Sequence, residues 1–284
     1  MSETHPSVVP TLGPGTDLAR FRAVVWEHFH TNRRDMPWRD VDDPYAVLVS
    51  EVMLQQTQVA RVMERYRDWL EAFPTPDALA AAPLSAVLER WQGLGYNRRA
   101  IALKRAAEQI VERFGGTLPR DAGALRSLPG VGPVTAAAVL NYAFGQPTPF
   151  IETNVRSVFL HHFFPDAEEV PDSVLMPLVE ATWDRDDPRG WGYALMDYGV
   201  LLKRTGANPS RRSSHHTRQS PFQGSKRQKR AGLLRAVLAQ PGRPSEAYAE
   251  EIGVRPADAG ALLTELAAEG FVACDDGLWT VAGS

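Results

Sequence analysis

Two carboxylates stand alone in apolar surroundings. Glu51 is the only charged residue between Pro44 and Ala60, and Glu152 the only one between Ser127 and Val155. A lone acid in such a stretch is costly to ionise, so it holds its proton or takes a partner. Between the two lies Leu128-Pro-Gly-Val-Gly-Pro-Val-Thr135. Gly130 and Gly132 allow the chain to turn tightly there, and Pro133 stands where a helix would begin. Exposed amides on such a turn, together with the helix dipole, make an anion site; the plainer reading is a simple helix–turn–helix connection. Two isolated acids with a loop suited to phosphate point to acid/base work on a nucleic acid.

Helices must carry these groups. Leu18, Phe21, Val24, Val25 and Phe29 line one side of a helix over 17–31. Asp43-Pro44 reads as the cap and first residue of a helix carrying Glu51. Further helices are expected at about 57–72, 83–91, 97–114, 121–127, 133–144, 153–162, 173–183 and 190–202. No alternating strand pattern competes before residue 270, so the body is read as all-α.

The chain has 284 residues, 44% of them hydrophobic, enough for two or three packed modules. No apolar run approaches the length of a membrane span, and the N-terminus lacks a signal-peptide pattern, so the expected location is cytoplasmic, and nucleoid-associated in a bacterium. The one cysteine, Cys274, excludes an internal disulfide framework and a cysteine-built metal site. Adjacent His215 and His216 lack further ligands, and no metal site is assigned. Net charge is −3, yet residues 203–230 carry nine Lys and Arg and no acid. Such a block is either a solvated stretch or a strap contacting phosphates.

The expected organisation is a disordered 1–15, a helical lobe from 16–44 plus 148–204, and a six-helix lobe over 45–147 with a helix-hairpin-helix at about 121–144. A basic linker at 205–225 and a C-terminal unit at 226–284 follow. In that unit, helices at about 226–239, 245–252 and 257–269 precede two short β-like runs flanking Asp275-Asp276-Gly277. Asp-Gly between such runs signals a hairpin, so the unit is read as a winged helix-turn-helix. Its candidate recognition helix carries Asp258, Glu265 and Glu269 and no Lys or Arg, which argues against reading a DNA groove directly.

Residues of about 18–204 resemble the helix-hairpin-helix DNA glycosylases, the superfamily of endonuclease III. Within it, Ser50-Glu-Val-Met-Leu-Gln-Gln-Thr-Gln-Val59, Trp91-Gln-Gly-Leu-Gly-Tyr96 and Leu128-Pro-Gly-Val-Gly132 look like the adenine glycosylases of the MutY type. The resemblance implies a two-lobed helical fold and an enzyme that flips a nucleotide out of mismatched or damaged duplex DNA. Glu51 matches the catalytic acid that protonates the base, a role suited by a raised pKa. Glu152 matches the carboxylate that stabilises the sugar's oxocarbenium charge, as in two-carboxylate sugar hydrolysis. Arg34, Met36, Trp38, Arg39, Leu54 and Val59 match residues around the flipped base. Gln56 and Tyr96 match the residues that wedge into the stack. Gly130, Val131, Gly132 and Thr135 of the hairpin, with Lys203, Arg204, Arg211 and Arg212 of the basic block, are the expected DNA contacts.

Four departures shape the expectation. Glu152 stands where the family has Asp. The positions of the first three iron–sulfur cysteines fall near Lys203, Ser210 and Ser213, so no cluster is expected; the hairpin loop leaves room for a monovalent cation. Val134 replaces the lysine of bifunctional relatives, so no Schiff-base nucleophile is present and no strand cleavage is expected. Tyr193 replaces a Gln or Glu that contacts the base, and both Val134 and Tyr193 are placed at the base pocket. Last, the C-terminal unit is too short for the usual domain that reads the opposing lesion. Adenine is the expected target; thymine or uracil opposite guanine, or hypoxanthine, is the alternative. A non-catalytic structure-specific DNA binder is the alternative of another class, and the winged helix would meet DNA or a protein.

Overall fold

A computed structural model describes residues 17–206, 208–215 and 221–283. The expected disorder of 1–15, and His216 and Arg218, lie outside these residues. Among them are fourteen helices and one three-stranded sheet. No helix is long and apolar enough to cross a membrane. The chain forms two compact units.

The first unit comprises 1–47, 120–126 and 132–218. It holds α1 (Leu18–Asn32), α7 (Ala122–Arg126), α8 (Pro133–Phe144), α9 (Thr153–Phe163), α10 (Asp172–Thr182) and α11 (Pro188–Thr205). Phe21, Val25 and Phe29 recur every four residues on α1 and are buried, as the apolar spacing predicts. The Phe21 ring meets Phe159 of α9 at 5.2 Å and the edge of Trp191 of α11 at 6.2 Å. Gly199 lets α11 approach α9: a Cβ there would lie 2.5 Å from the Asn154 carbonyl oxygen. The expected lobes put 120–126 and 132–147 with the Glu51 helix. They group instead with α11, because Tyr142 of α8 stacks flat on Tyr193 and Asn141 donates to the Pro188 carbonyl at 2.8 Å.

The second unit comprises 48–119, 127–131 and 219–284. It takes most of α2 (Pro44–Leu54), then α3 (Val59–Ala72), α4 (Pro76–Ala81), α5 (Leu84–Trp91) and α6 (Arg98–Phe114). The short α4 was not expected from periodicity; Thr75 caps it by accepting from the Ala78 amide. The expected helix at 57 starts at Val59, because Gln56 adopts a left-handed backbone.

The C-terminal segment belongs to this same unit. α12 (Lys226–Ala239), α13 (Ser245–Ile252) and α14 (Pro256–Ala268) pack with β1 (Arg243–Pro244), β2 (Val272–Asp275) and β3 (Leu278–Val281). The sheet order is β1-β3-β2, antiparallel throughout. Asp276 and Gly277 both have positive φ, the conformation a two-residue hairpin turn requires. The acids of α14 face partners within the unit. Glu265 pairs with Lys226 and Arg230, and Glu269 with Arg230 and Arg98.

Candidate active site

In the second unit, α2 carries Glu51 two turns after its start, half-buried in a helix with no other charge. Leu54 ends α2, and Val59 opens α3; both are half-buried. Gln56 between them is exposed, with φ of 56°. Tyr96, on the turn after α5, is also exposed, with φ of 49°. Gly93 and Gly95 precede it, and both have positive φ.

One side chain fastens both segments. Arg99 Nη1 donates to the carbonyl oxygens of Val52 and Met53, at 2.8 and 2.9 Å. Its Nη2 donates to Thr57 Oγ1 at 2.8 Å and to the Gly95 carbonyl at 2.9 Å. The guanidinium thus fills the C-terminal carbonyls of the Glu51 helix and also holds the Tyr96 turn. Burial pulls its pKa down to about 10, so it stays charged at neutral pH. Sequence reading missed Arg99, because it stands in an ordinary basic run at the start of α6.

In the first unit, Glu152 is the N-cap of α9. Its Oε1 accepts from the Asn154 and Val155 amides, at 2.6 and 2.9 Å, and Oε2 from Asn154 Nδ2 at 3.1 Å. Asp, Asn, Ser and Thr usually make this cap. Here the longer side chain folds back onto the same pair of amides that a shorter acid would use. Burial pushes the carboxyl above its ordinary value; the two amides, Lys203 and Arg156 oppose that shift without cancelling it. Lys203 is half-buried, and burial lowers its pKa while Glu152 raises it. Lys203 is therefore an electrostatic neighbour of Glu152.

The loop after α1 is built on Asp197, a buried acid of α11. Arg39, only 2% exposed, grips both Asp197 oxygens at 2.7 Å each. Arg34 Nε and its own amide bind the same carboxylate. Burial pushes the Asp197 carboxyl up, but the two guanidinium groups outweigh that and hold it below the usual range. Met36 and Trp38 are buried in this loop. Tyr193 is 5% exposed, with Arg39 over its ring at 4.7 Å and Tyr142 stacked at 4.2 Å. The expectation of a base-contacting Tyr193 is thus corrected: its ring faces are taken by Arg39 and Tyr142. Asp197 was missed, although it carries the signal that marked Glu51, a single charge among apolar helical neighbours.

The hairpin residues are distributed between the units. Within 127–131, Gly130 has φ of 79°, and a Cβ there would lie 2.9 Å from Ala102. The Val131 amide donates to the Leu128 carbonyl at 3.2 Å, so it stabilises the turn and is not offered to a phosphate as expected. In the first unit, Gly132 caps α8 with no side-chain bond. Thr135 is buried and Val134 is 44% exposed.

The basic block also divides. Arg204 and Arg211 are exposed. Arg212 turns inward, donating to the carbonyl oxygens of Leu160, Phe164 and Pro165 at the end of α9; this corrects its expected DNA contact. A 3-10 turn at Pro209–Arg212 and a bridge between Val170 and Ser213 complete the segment, and Ser210 and Ser213 are buried. Four thiolates for an iron–sulfur cluster are not available in this chain, whose one cysteine lies on exposed β2.

Residues 49–180 match the HhH-GPD superfamily of base excision DNA repair proteins. That match takes in a little under half of the chain, and over it the chain is similar to this superfamily. A human adenine DNA glycosylase is 44% identical over 200 residues, 66% of this chain and 36% of that protein. A thymine/uracil-DNA glycosylase of Pyrobaculum aerophilum is 40% identical over 146 residues, 51% of this chain and 64% of that protein. The chain therefore spans little more than a third of the human relative's length. A solved thermostable thymine-DNA glycosylase superposes with a TM-score of 0.58 at 27% identity, covering 64% of this chain and 86% of that one. The superfamily's helical architecture is the one described above.

Proposed function

We propose that the chain is a monofunctional DNA glycosylase of base excision repair, with adenine in a mispair as its first substrate. The observation that carries this reading is α2. Glu51 is its single charge, and Arg99 fastens the end of this helix, next to the left-handed Gln56, to the Tyr96 turn. That arrangement suits an acid and two wedging side chains held on one rigid frame. Glu51 protonates the adenine ring and so makes the base a better leaving group. As the glycosidic bond breaks, Glu152 stabilises the positive charge on the sugar, and water adds to the sugar carbon. Free base and an abasic site result. Val134 offers no amine for Schiff-base chemistry, so the strand stays intact. The Gly130 and Gly132 backbone, with Arg204 and Arg211, holds phosphates of the duplex. The reading needs no iron–sulfur cluster, leaves a monovalent cation at the hairpin as an option, and places the protein in the cytoplasm, at the nucleoid in a bacterium.

A second reading is removal of thymine or uracil opposite guanine. The Pyrobaculum relative's name favours it, as does the loss of the base-contacting Gln or Glu at Tyr193. Single-turnover excision from duplexes bearing A opposite 8-oxoguanine, A opposite G, T or U opposite G, and hypoxanthine opposite T tests both. Adenine release with strand breaks only after alkali supports the first reading. Thymine or uracil release selects the second, and binding without excision of any base would overturn both.

A further inference from the structure

We infer that the C-terminal winged helix and the wedge turns together form a nucleic-acid groove, which holds the nucleotide left unpaired when its partner is flipped out. The inference rests on the glycosylase reading for the role of the wedge. The groove itself lies wholly within the second unit. It encloses about 1320 Å³, more than the roughly 300–1,000 Å³ that small-molecule sites take, and so suits a length of polymer. One wall carries Gln56 and Tyr96, and α12 forms the other.

Charge chooses the occupant. Arg61, Arg65, Arg98, Arg99, Arg227, Arg230 and Arg235 line the groove, against only two acids, Glu64 and Glu269. Glu269 is already bound by Arg98 and Arg230. Arg61 and Arg235 are exposed, and Arg65 lies beside Gly93, whose Cβ would be 3.7 Å from its guanidinium. Guanidinium groups in such excess over carboxylates fit phosphates. Tyr96 and Phe222, both exposed, supply ring faces on which an unstacked base can rest. Arg227 Nη1 reaches the Tyr96 hydroxyl at 3.1 Å, so the winged helix touches the wedge itself. The acidic α14, unsuited to DNA, spends its charge holding α12 and Arg98 in place.

The test uses the full chain and fluorescence anisotropy. The probes are a 25-base-pair duplex with a tetrahydrofuran abasic analogue opposite guanine and the same duplex fully paired. The Arg61→Ala/Arg65→Ala/Arg235→Ala variant should bind the abasic duplex at least tenfold more weakly, and its salt dependence should flatten by about two units of slope, roughly 0.7–0.9 per phosphate contact. The paired duplex should lose clearly less. Charge reversal at exposed Arg235 alone, Arg235→Glu, should move affinity the same way. With 5-iodouracil opposite the abasic analogue, ultraviolet crosslinks should map to the groove. Unchanged affinity and salt slope in both variants would overturn the groove, whatever base the enzyme excises. A groove effect in a chain that excises nothing would keep the groove and overturn only the glycosylase reading.

Discussion

Gln56 and Tyr96 share a left-handed backbone, with φ of 56° and 49°. Side chains other than Gly, Asn and Asp adopt it at a cost of about 1–3 kcal/mol, so the surrounding structure must impose it. Arg99 does so from the centre, with two bonds to the α2 carbonyls and others to Thr57 and the 93–96 turn. Replacing Arg99 by Ala strands several carbonyl oxygens and should lower unfolding free energy by about 3 kcal/mol. Arg99→Lys should recover less than half of that, since one ammonium cannot span both segments. Gln56→Gly should leave thermal stability equal or raise it by up to about 1 kcal/mol while slowing excision. Chemical denaturation of the three variants checks the set. A destabilised Gln56→Gly would show that the backbone there carries no strain.

Glu51→Gln keeps size and hydrogen bonding but removes the proton that the proposed mechanism gives to the base. Excision should fall by about 10²–10⁴-fold, the span typical for a general acid. Affinity for the uncleaved duplex should stay within about tenfold. Single-turnover kinetics beside anisotropy separates the two effects, and rapid excision by the variant would remove Glu51 from its assigned role.

Much of this was legible because burial imposes spacing. Val62, Tyr66 and Trp69 mark the inner face of α3, and Gly115 and Gly145 end α6 and α8 in left-handed caps. The chemistry-bearing segments were legible through the isolation of their charges. Long-range pairing was not. Arg34 and Arg39 meet an acid about 160 residues away, and no local pattern announces that Asp197 is their partner. Arg212 read as a phosphate contact because a sequence gives its charge and not its direction. The acidic α14 read as a poor DNA reader from its charge alone, and its pairing with α12 and Arg98 required the fold.

Glu152 caps α9, and the proposed mechanism gives it a chemical task as well; two substitutions separate the two. Glu152→Asp should still accept from the Asn154 and Val155 amides, so excision should stay within about tenfold. Glu152→Ala should lose about 1 kcal/mol of stability with the cap. Its excision rate should fall by about 10²–10³-fold with the charge. The role requires the anion, and burial places the Glu152 pKa above the ordinary 4.5. Excision should therefore decline as pH falls through that raised value, earlier than an exposed carboxylate would allow. A pH–rate profile of the chemical step checks this. An acid limb unchanged in Glu152→Ala would mean that another group sets it.

His162 should make the fold acid-sensitive. Its ring is fully buried beside Phe21 and Tyr198, and its Nε2 shares a hydrogen bond with the Tyr198 hydroxyl at 3.0 Å. Burial, with His161 adding to it, drives its pKa down from 6.5 to about 3. Below pH 6.5 the unfolded chain therefore binds a proton that the folded chain refuses. Stability from this one residue should fall by about 1.4 kcal/mol per pH unit between pH 6.5 and 3. His161 and His28 are also lowered by burial and act in the same direction. Asp197 and Asp184, whose carboxyls are held below their ordinary value, add their own loss only nearer pH 4. Urea unfolding at pH 6.5, 6.0, 5.5 and 5.0 follows the histidines, with the raised Glu152 carboxyl acting in the opposite direction. His162→Gln, which keeps a polar partner for Tyr198, should be less stable than the parent at pH 7 but show a shallower slope. An equal slope in both proteins would show that His162 accepts its proton within the fold.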